Sequence, residues 1–168
     1  INVFAGQNGS GKTSILEAIF ILSRARSFRT HKLNTVINHL ATRCVVYGEL
    51  DEGGSMGVMR SRNDKQVFKV NGNPVYSAAE LAEQLPLQLI NANSFSLLEG
   101  GPSLRRQFLD WGVFHVEHEF WFYWKRIQKA LKQRNSLLRR GRIQDAEILP
   151  WDTELSQCAE IVDGMRAA

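Results

Sequence analysis

Gly6-Gln7-Asn8-Gly9-Ser10-Gly11-Lys12-Thr13 fits G-x-x-x-x-G-K-[ST] in full. Few short patterns restrict a fold so much, because the loop works only when a strand aims it and a helix follows it. The context agrees. Residues 1–4 read as the tail of a buried strand, and 13–24 (TSILEAIFILSR) read as a helix with Ile15, Ala18, Ile19 and Leu22 on one face. Gly6 and Gly11 let the backbone turn where a side chain would block it. Successive N–H groups, from Gln7 through Asn8, Gly9 and Ser10 to the start of the helix, can then face phosphate oxygens. Lys12 would reach the β- and γ-phosphates, and the Thr13 hydroxyl would ligate Mg²⁺. The bland alternative is a glycine-rich turn that binds nothing. The pattern points to a nucleoside triphosphate and leaves the reaction open.

The 168 residues, 43% of them hydrophobic, suffice for one or two units with a real core. Short alternating runs follow the first helix: 44–50, 56–62 and 66–70 read as strands, with a strong turn at 71–74 (NGNP). Ser77 and Glu80 have the spacing of a capping box, Pro86 ends the helix they open, and 87–91 (LQLIN) reads as a buried strand. From Pro102 onward only helical patterns remain, with a break expected near Gly112–His115, a stop at Gly141 and a new helix starting at Pro150. The chain therefore divides near residue 95, into a mixed α/β part (1–95) and an all-helical part (96–168).

No run approaches the ~18 apolar residues of a membrane span, and no signal-peptide pattern is visible. Cys44 and Cys158 fit no metal or redox spacing, which points to a reducing, cytoplasmic setting. The net charge of +4 favours polyanionic partners once the charge is located. Between Lys125 and Arg142 there are eight Lys or Arg and no acid. Phe120, Trp124, Ile127, Leu131 and Leu138 share one helix face, whereas Lys125, Lys129, Lys132 and Arg139 form a separate stripe. That stripe reads either as a contact for nucleic-acid phosphates or as a solvated helix face; a membrane-surface helix is a third option.

The remaining features are less specific. The aromatics of 120–124 (FWFYW) read as core rather than as base-stacking residues. His115 and His118 lack a third metal ligand in sequence reach. Arg24, Arg26 and Arg29 read equally as phosphate contacts or as loop residues. A hydrolysing P-loop enzyme needs an acid at the end of a second strand. Glu49 and Asp110 are the nearest matches and neither fits, so no catalytic residue is assigned.

Taken together, GQNGSGKTSILEAIF, RARSFRT, PLQLIN, LLEGGPSLRRQFLDWGVFH and ALKQRNSLLR resemble the RecF family. These are bacterial recombination-mediator ATPases of the ABC class, related to the SMC-like repair ATPases. GGPSLRRQFLDW and KQRN are its particular segments. The resemblance implies a partial ABC-ATPase head followed by a helical second lobe, with Gly6–Thr13 as the site for ATP and Mg²⁺. It also implies ATP-driven dimerisation with nucleotide between subunits, and binding to DNA at single-strand/double-strand junctions. Work with RecO and RecR to load RecA at gaps, support of the SOS response and weak ATPase activity in the full-length protein are implied as well. The ABC signature, the acidic strand and the opening strand with an FRN-like segment that family members carry before the loop are not found here, so the chain is expected to be a fragment that neither completes the site nor hydrolyses well. Similar sequences carry Pro followed by Asp or Glu where this chain has Ala92-Asn93. Two other classes remain as alternatives: a small P-loop phosphotransferase, and a non-catalytic module that binds DNA or a partner.

Overall fold

Helix α1 (Lys12–Arg24) starts directly at the end of the glycine-rich loop, and everything in the first half of the fold is built against it. The computed structural model describes residues 1–51, 53–63, 65–141 and 144–167, the side chains of Leu33 and Asn93 apart. They form two compact units, Ile1–Leu89 and Ile90–Ala168.

In the first unit, β1 (Arg43–Glu49), β2 (Ser55–Ser61), β3 (Gln66–Val70) and β4 (Asn73–Val75) form one antiparallel sheet in chain order. The alternation read from the sequence sets its register. Val46 faces Val58, Val58 faces Phe68 and Phe68 faces Val75, so one apolar row crosses all four strands. This row packs on Ile21, Leu22 and Ala25 of the α1 end and on Leu81 of α2 (Ala78–Gln84). At Gly48 the α1 end packs tightly on the sheet: a Cβ there would lie 2.9 Å from Leu22 Cδ1. Asn71 and Gly72, both at positive φ, make the two-residue turn between β3 and β4. The capping box is present. Ser77 Oγ accepts from Ala79 N–H at 3.1 Å, and Glu80 Oε1 accepts from Ser77 N–H at 3.0 Å. Such a cap contributes about 1 kcal/mol.

Three expectations fail, wholly or in part, in this unit. Residues 1–4 are not a strand, because among the described residues no neighbour supplies their ladder bonds; Ile1 and Val3 are exposed. Residues 87–91 alternate half-buried and exposed as a strand would, but among the described residues they join no sheet. The buried face of α1 matches the expected one only in part: Leu22 is buried and Ala18 and Ile19 are half-buried, but Glu17, Ile21 and Ser23 are buried too and Ile15 is 46% exposed. The sheet begins only at residue 43, so the inward face is set by the last turns of the helix.

The second unit contains α3 (Ser96–Glu99), α4 (Pro102–Val116), α5 (Phe120–Leu138) and α6 (Asp145–Ala167). Gly100 closes the α3–α4 turn, where an added Cβ would run into the Ser96 carbonyl oxygen. Pro102 opens α4, in the position where its missing N–H costs nothing. Helices α5 and α6 form an antiparallel hairpin whose core joins Phe120 to Val113 and Val162. Gly141, at φ 78°, ends the α5 run as expected. The break expected near Gly112–His115 falls instead at Glu117–Glu119, since Gly112 is tolerated inside α4. Pro150 lies inside α6 rather than at its start. Among the described residues, no helix is long and apolar enough to cross a membrane.

Candidate functional site

The loop before α1 has the geometry of an anion cradle. Gly6 and Gly11 have φ of 156° and 90°, and a Cβ on Gly6 would sit 2.9 Å from Ser10 Oγ. Gly11 is the N-cap of α1 and offers no side chain to the helix start, and the first turn holds no acid. Ile15 N–H is the first to bond back, to the Gly11 carbonyl at 3.0 Å. The N–H groups before it are the free donors that every helix leaves at its start, and the helix dipole adds positive potential there. The Lys12 ammonium closes the loop from within, donating to the carbonyls of Gly6 and Gln7 at 2.7 Å each. Its remaining donor has only Ser10 Oγ, at 3.5 Å, leaving capacity for an anion. Gln7, Asn8, Gly9, Ser10 and Thr13 are exposed, so the loop is open to solvent. These residues fit a triphosphate, with the Thr13 hydroxyl free to act as a metal ligand.

Behind the loop sits a carboxylate whose role the sequence did not announce. Glu17 is 8% exposed. Its Oε1 accepts from Ser27 Oγ, and its Oε2 pairs with Arg29 Nη1 at 3.4 Å. Ser27 Oγ also accepts from the N–H groups of Arg29 and Thr30, at 3.0 and 3.2 Å. The segment after α1 is thus folded back onto it. The sequence signal was slight: an acid one helical turn before Phe20 and Ile21. Arg24 is likewise structural in part: its Nη2 donates to the Leu87 carbonyl at 3.1 Å, beside Ser23 Oγ bonding Leu85 O at 2.7 Å. Burial, and after it the nearby Arg26 charge, lowers the Arg24 pKa. Arg26 is exposed.

In the helical unit the eight cations of 125–142 divide. Arg126 and Arg134 turn toward α6 and pair with Glu154 and Asp152, both at 2.6 Å. The acids missing from the segment itself are therefore supplied by the neighbouring helix. Lys125, Lys129 and Lys132 are exposed along one side of α5, Arg139 continues that side at its C-cap, Arg140 is exposed beside it, and Arg142 lies outside the described residues. Lys125 Nζ also stands over the Trp121 ring at 5.4 Å, and Trp121 stacks on Trp124 with centroids 5.2 Å apart. The apolar face runs through Phe120, Trp124 and Ile127, while Leu138 is exposed.

The weaker candidates disperse. The His115 ring packs against Trp111 and Phe114, and among the described residues no three metal-ligating side chains converge. Asp110 is held by Arg166 at 2.6 Å, and Glu49 accepts from the Tyr47 hydroxyl at 3.1 Å. Neither approaches a catalytic role. The Asn93 side chain lies outside the described residues.

The family model described as the RecF/RecN/SMC N terminal domain matches residues 1–104. The chain belongs to that family. RecF/RecN/SMC relatives over its full length include the DNA replication and repair protein RecF of Stutzerimonas stutzeri, 52% identical over 100% of this chain and 46% of the relative. The protein of the same name from Pseudomonas putida is 53% identical over 99% of this chain and 46% of its own length. The chain thus spans about half the length of the curated relatives it matches. A solved structure of the recombination mediator protein RecF-ATP in the RecFOR pathway superposes with a TM-score of 0.83 at 27% identity, over 96% of this chain and 45% of that one. A RecF-ATPrS structure gives 0.78 at 26%, over 96% and 46%. The mixed α/β unit and the helical lobe are accordingly the RecF-type arrangement of this family.

Proposed function

We propose that this chain is the nucleotide-gripping and DNA-contacting portion of a recombination-mediator protein of DNA repair and replication. The observation that carries the reading is the Lys12 ammonium, seated on the Gly6 and Gln7 carbonyls beneath the free donors that start α1. ATP would lie with its phosphates against Gly6–Thr13, and Mg²⁺ would be held in part by Thr13. Supporting this, RecF relatives are named as replication and repair proteins, and one of the similar solved structures is of RecF-ATP. The exposed row Lys125, Lys129, Lys132 and Arg139 supplies phosphate contacts to DNA.

The finer reading follows the family. ATP drives dimerisation, DNA is engaged at single-strand/double-strand junctions, and RecO and RecR are the partners through which RecA is loaded at gaps in the cytoplasm, supporting the SOS response. The described residues hold no acid placed to activate water, so hydrolysis by this chain alone is expected to be very slow. The division of labour is an ATP-binding lobe up to about residue 95 and a helical lobe after it.

The test is titration of a fluorescent ATP analogue into the wild type and Lys12→Ala. The expected result is saturable, Mg²⁺-dependent binding that the substitution weakens at least tenfold. Equal binding by both proteins overturns the assignment.

A further inference from the structure

The outer face of the sheet departs from what an exposed sheet face should be. Antiparallel sheets with one packed face usually present polar residues on the other. Here Val45, Met59 and Val67 stand opposite one another across β1, β2 and β3 on the side away from α1. Val45 is 60% exposed. The adjacent row runs Tyr47, Gly57, Lys69. Tyr47 is 62% exposed, and a Cβ on Gly57 would meet nothing within 4 Å, so bare backbone lies beside the ring. Exposed apolar surface framed by polar residues marks a contact site.

We propose that this face binds a single nucleic-acid strand, with a base stacked on Tyr47 over the bare floor at Gly57 and the backbone phosphates toward Lys69 and Arg43. The inference rests on the DNA reading above but assigns a second, chemically distinct surface in the other unit. Charge selects the occupant. The exposed charges carried by these strands on that face are Arg43, Lys69 and Glu49, a net positive set in which Glu49 accepts from the Tyr47 hydroxyl. An exposed aromatic ring on an open sheet face that carries two cations and one acid suits unpaired bases, whose faces are free to stack, while a duplex hides them. Lys69 lies two strand spacings, about 10 Å, from Tyr47.

The experiment compares the whole chain and its Tyr47→Ser and Tyr47→Phe variants in binding a fluorescent oligo-dT, the same length of abasic backbone, and a duplex. Stacking predicts that the wild type prefers oligo-dT to abasic backbone by about tenfold. Tyr47→Ser should lose that preference, Tyr47→Phe should keep it, and duplex affinity should not change. Thermal unfolding of Tyr47→Ser checks that the fold is intact. If the wild type does not discriminate oligo-dT from abasic backbone, or if Tyr47→Ser still does, the inference is overturned, and the face is left to a protein partner. Duplex binding that persists in that case keeps the α5 reading standing; loss of all DNA binding by the wild type removes both.

Discussion

Arg126 on α5 and Glu154 on α6 are joined at two points, Nε to Oε1 at 2.6 Å and Nη2 to Oε2 at 2.8 Å. This fork-to-fork contact fixes the sliding register of the hairpin, because a shift of one turn would break both bonds. It also takes Arg126 out of the set of cations available to a ligand.

The pair makes the helical unit acid-sensitive. Hydrogen bonding by Arg126 holds the Glu154 carboxyl below the ordinary carboxylate range. A depressed folded pKa contributes stability that is fully present above the unfolded value of about 4.3 and is lost as pH falls through the lower folded value. Thermal midpoints measured from pH 6 down to 3 should fall, and Glu154→Gln should flatten part of that fall. An unchanged slope in the variant would show that the pair is not what titrates.

The two kinds of α5 cation should separate in salt titrations. Replacing Lys125, Lys129 and Lys132 together with Gln should lower the slope of log K against log salt for duplex DNA by about 2.7, three contacts at about 0.9 each. Arg134→Gln should leave that slope alone and lower the midpoint of urea unfolding, since it strips Asp152 of its partner. Equal slopes for all proteins would remove the stripe as a DNA contact.

Ser27→Ala should destabilise the first unit by about 1–3 kcal/mol. It takes a donor from the buried Glu17 carboxylate and an acceptor from two N–H groups at once. Urea denaturation read by far-UV dichroism measures this. A cost below about 0.5 kcal/mol would mean that the fold-back after α1 is held by other contacts.

Gly100→Ala should cost about 1–3 kcal/mol, because the new methyl meets backbone rather than a movable side chain. Gly112→Ala is the control: its site is open and helical, so the change should be neutral or stabilising. If calorimetry finds equal midpoints for both variants, the α3–α4 turn is not as tight as described.

Local signals in the sequence carried far. The phosphate loop, the three-strand alternation of 44–70, the Asn71-Gly72 turn and the Ser77–Glu80 cap all depend on residues within a few positions of one another. What failed depends on distant partners. Residues 1–4 and 87–91 have strand-like composition, but a strand exists only where a neighbour accepts its bonds. The buried side of α1 was assigned only in part, Leu22 correctly and Ile15 not, because the sheet that covers it comes some twenty residues later. The exposed Lys125, Lys129 and Lys132 of α5 and Arg139 at its cap were picked out by helical spacing. The pairing of Arg126 and Arg134 required the register of α6, and Pro150 inside that helix hid even where α6 begins.

The stacked pair Trp121 and Trp124, with Lys125 over one ring, has a practical consequence. All four tryptophans (111, 121, 124 and 151) belong to the helical unit, while the first unit carries only Tyr47 and Tyr76 as phenolic chromophores. Each unit therefore bears its own optical label. Tryptophan emission reports on the helical unit alone, its quenching near Lys125 reports on what touches α5, and tyrosine absorbance reports chiefly on the sheet. Unfolding curves recorded by the two signals can be laid over each other without any added dye, and where they part, the units have come apart separately.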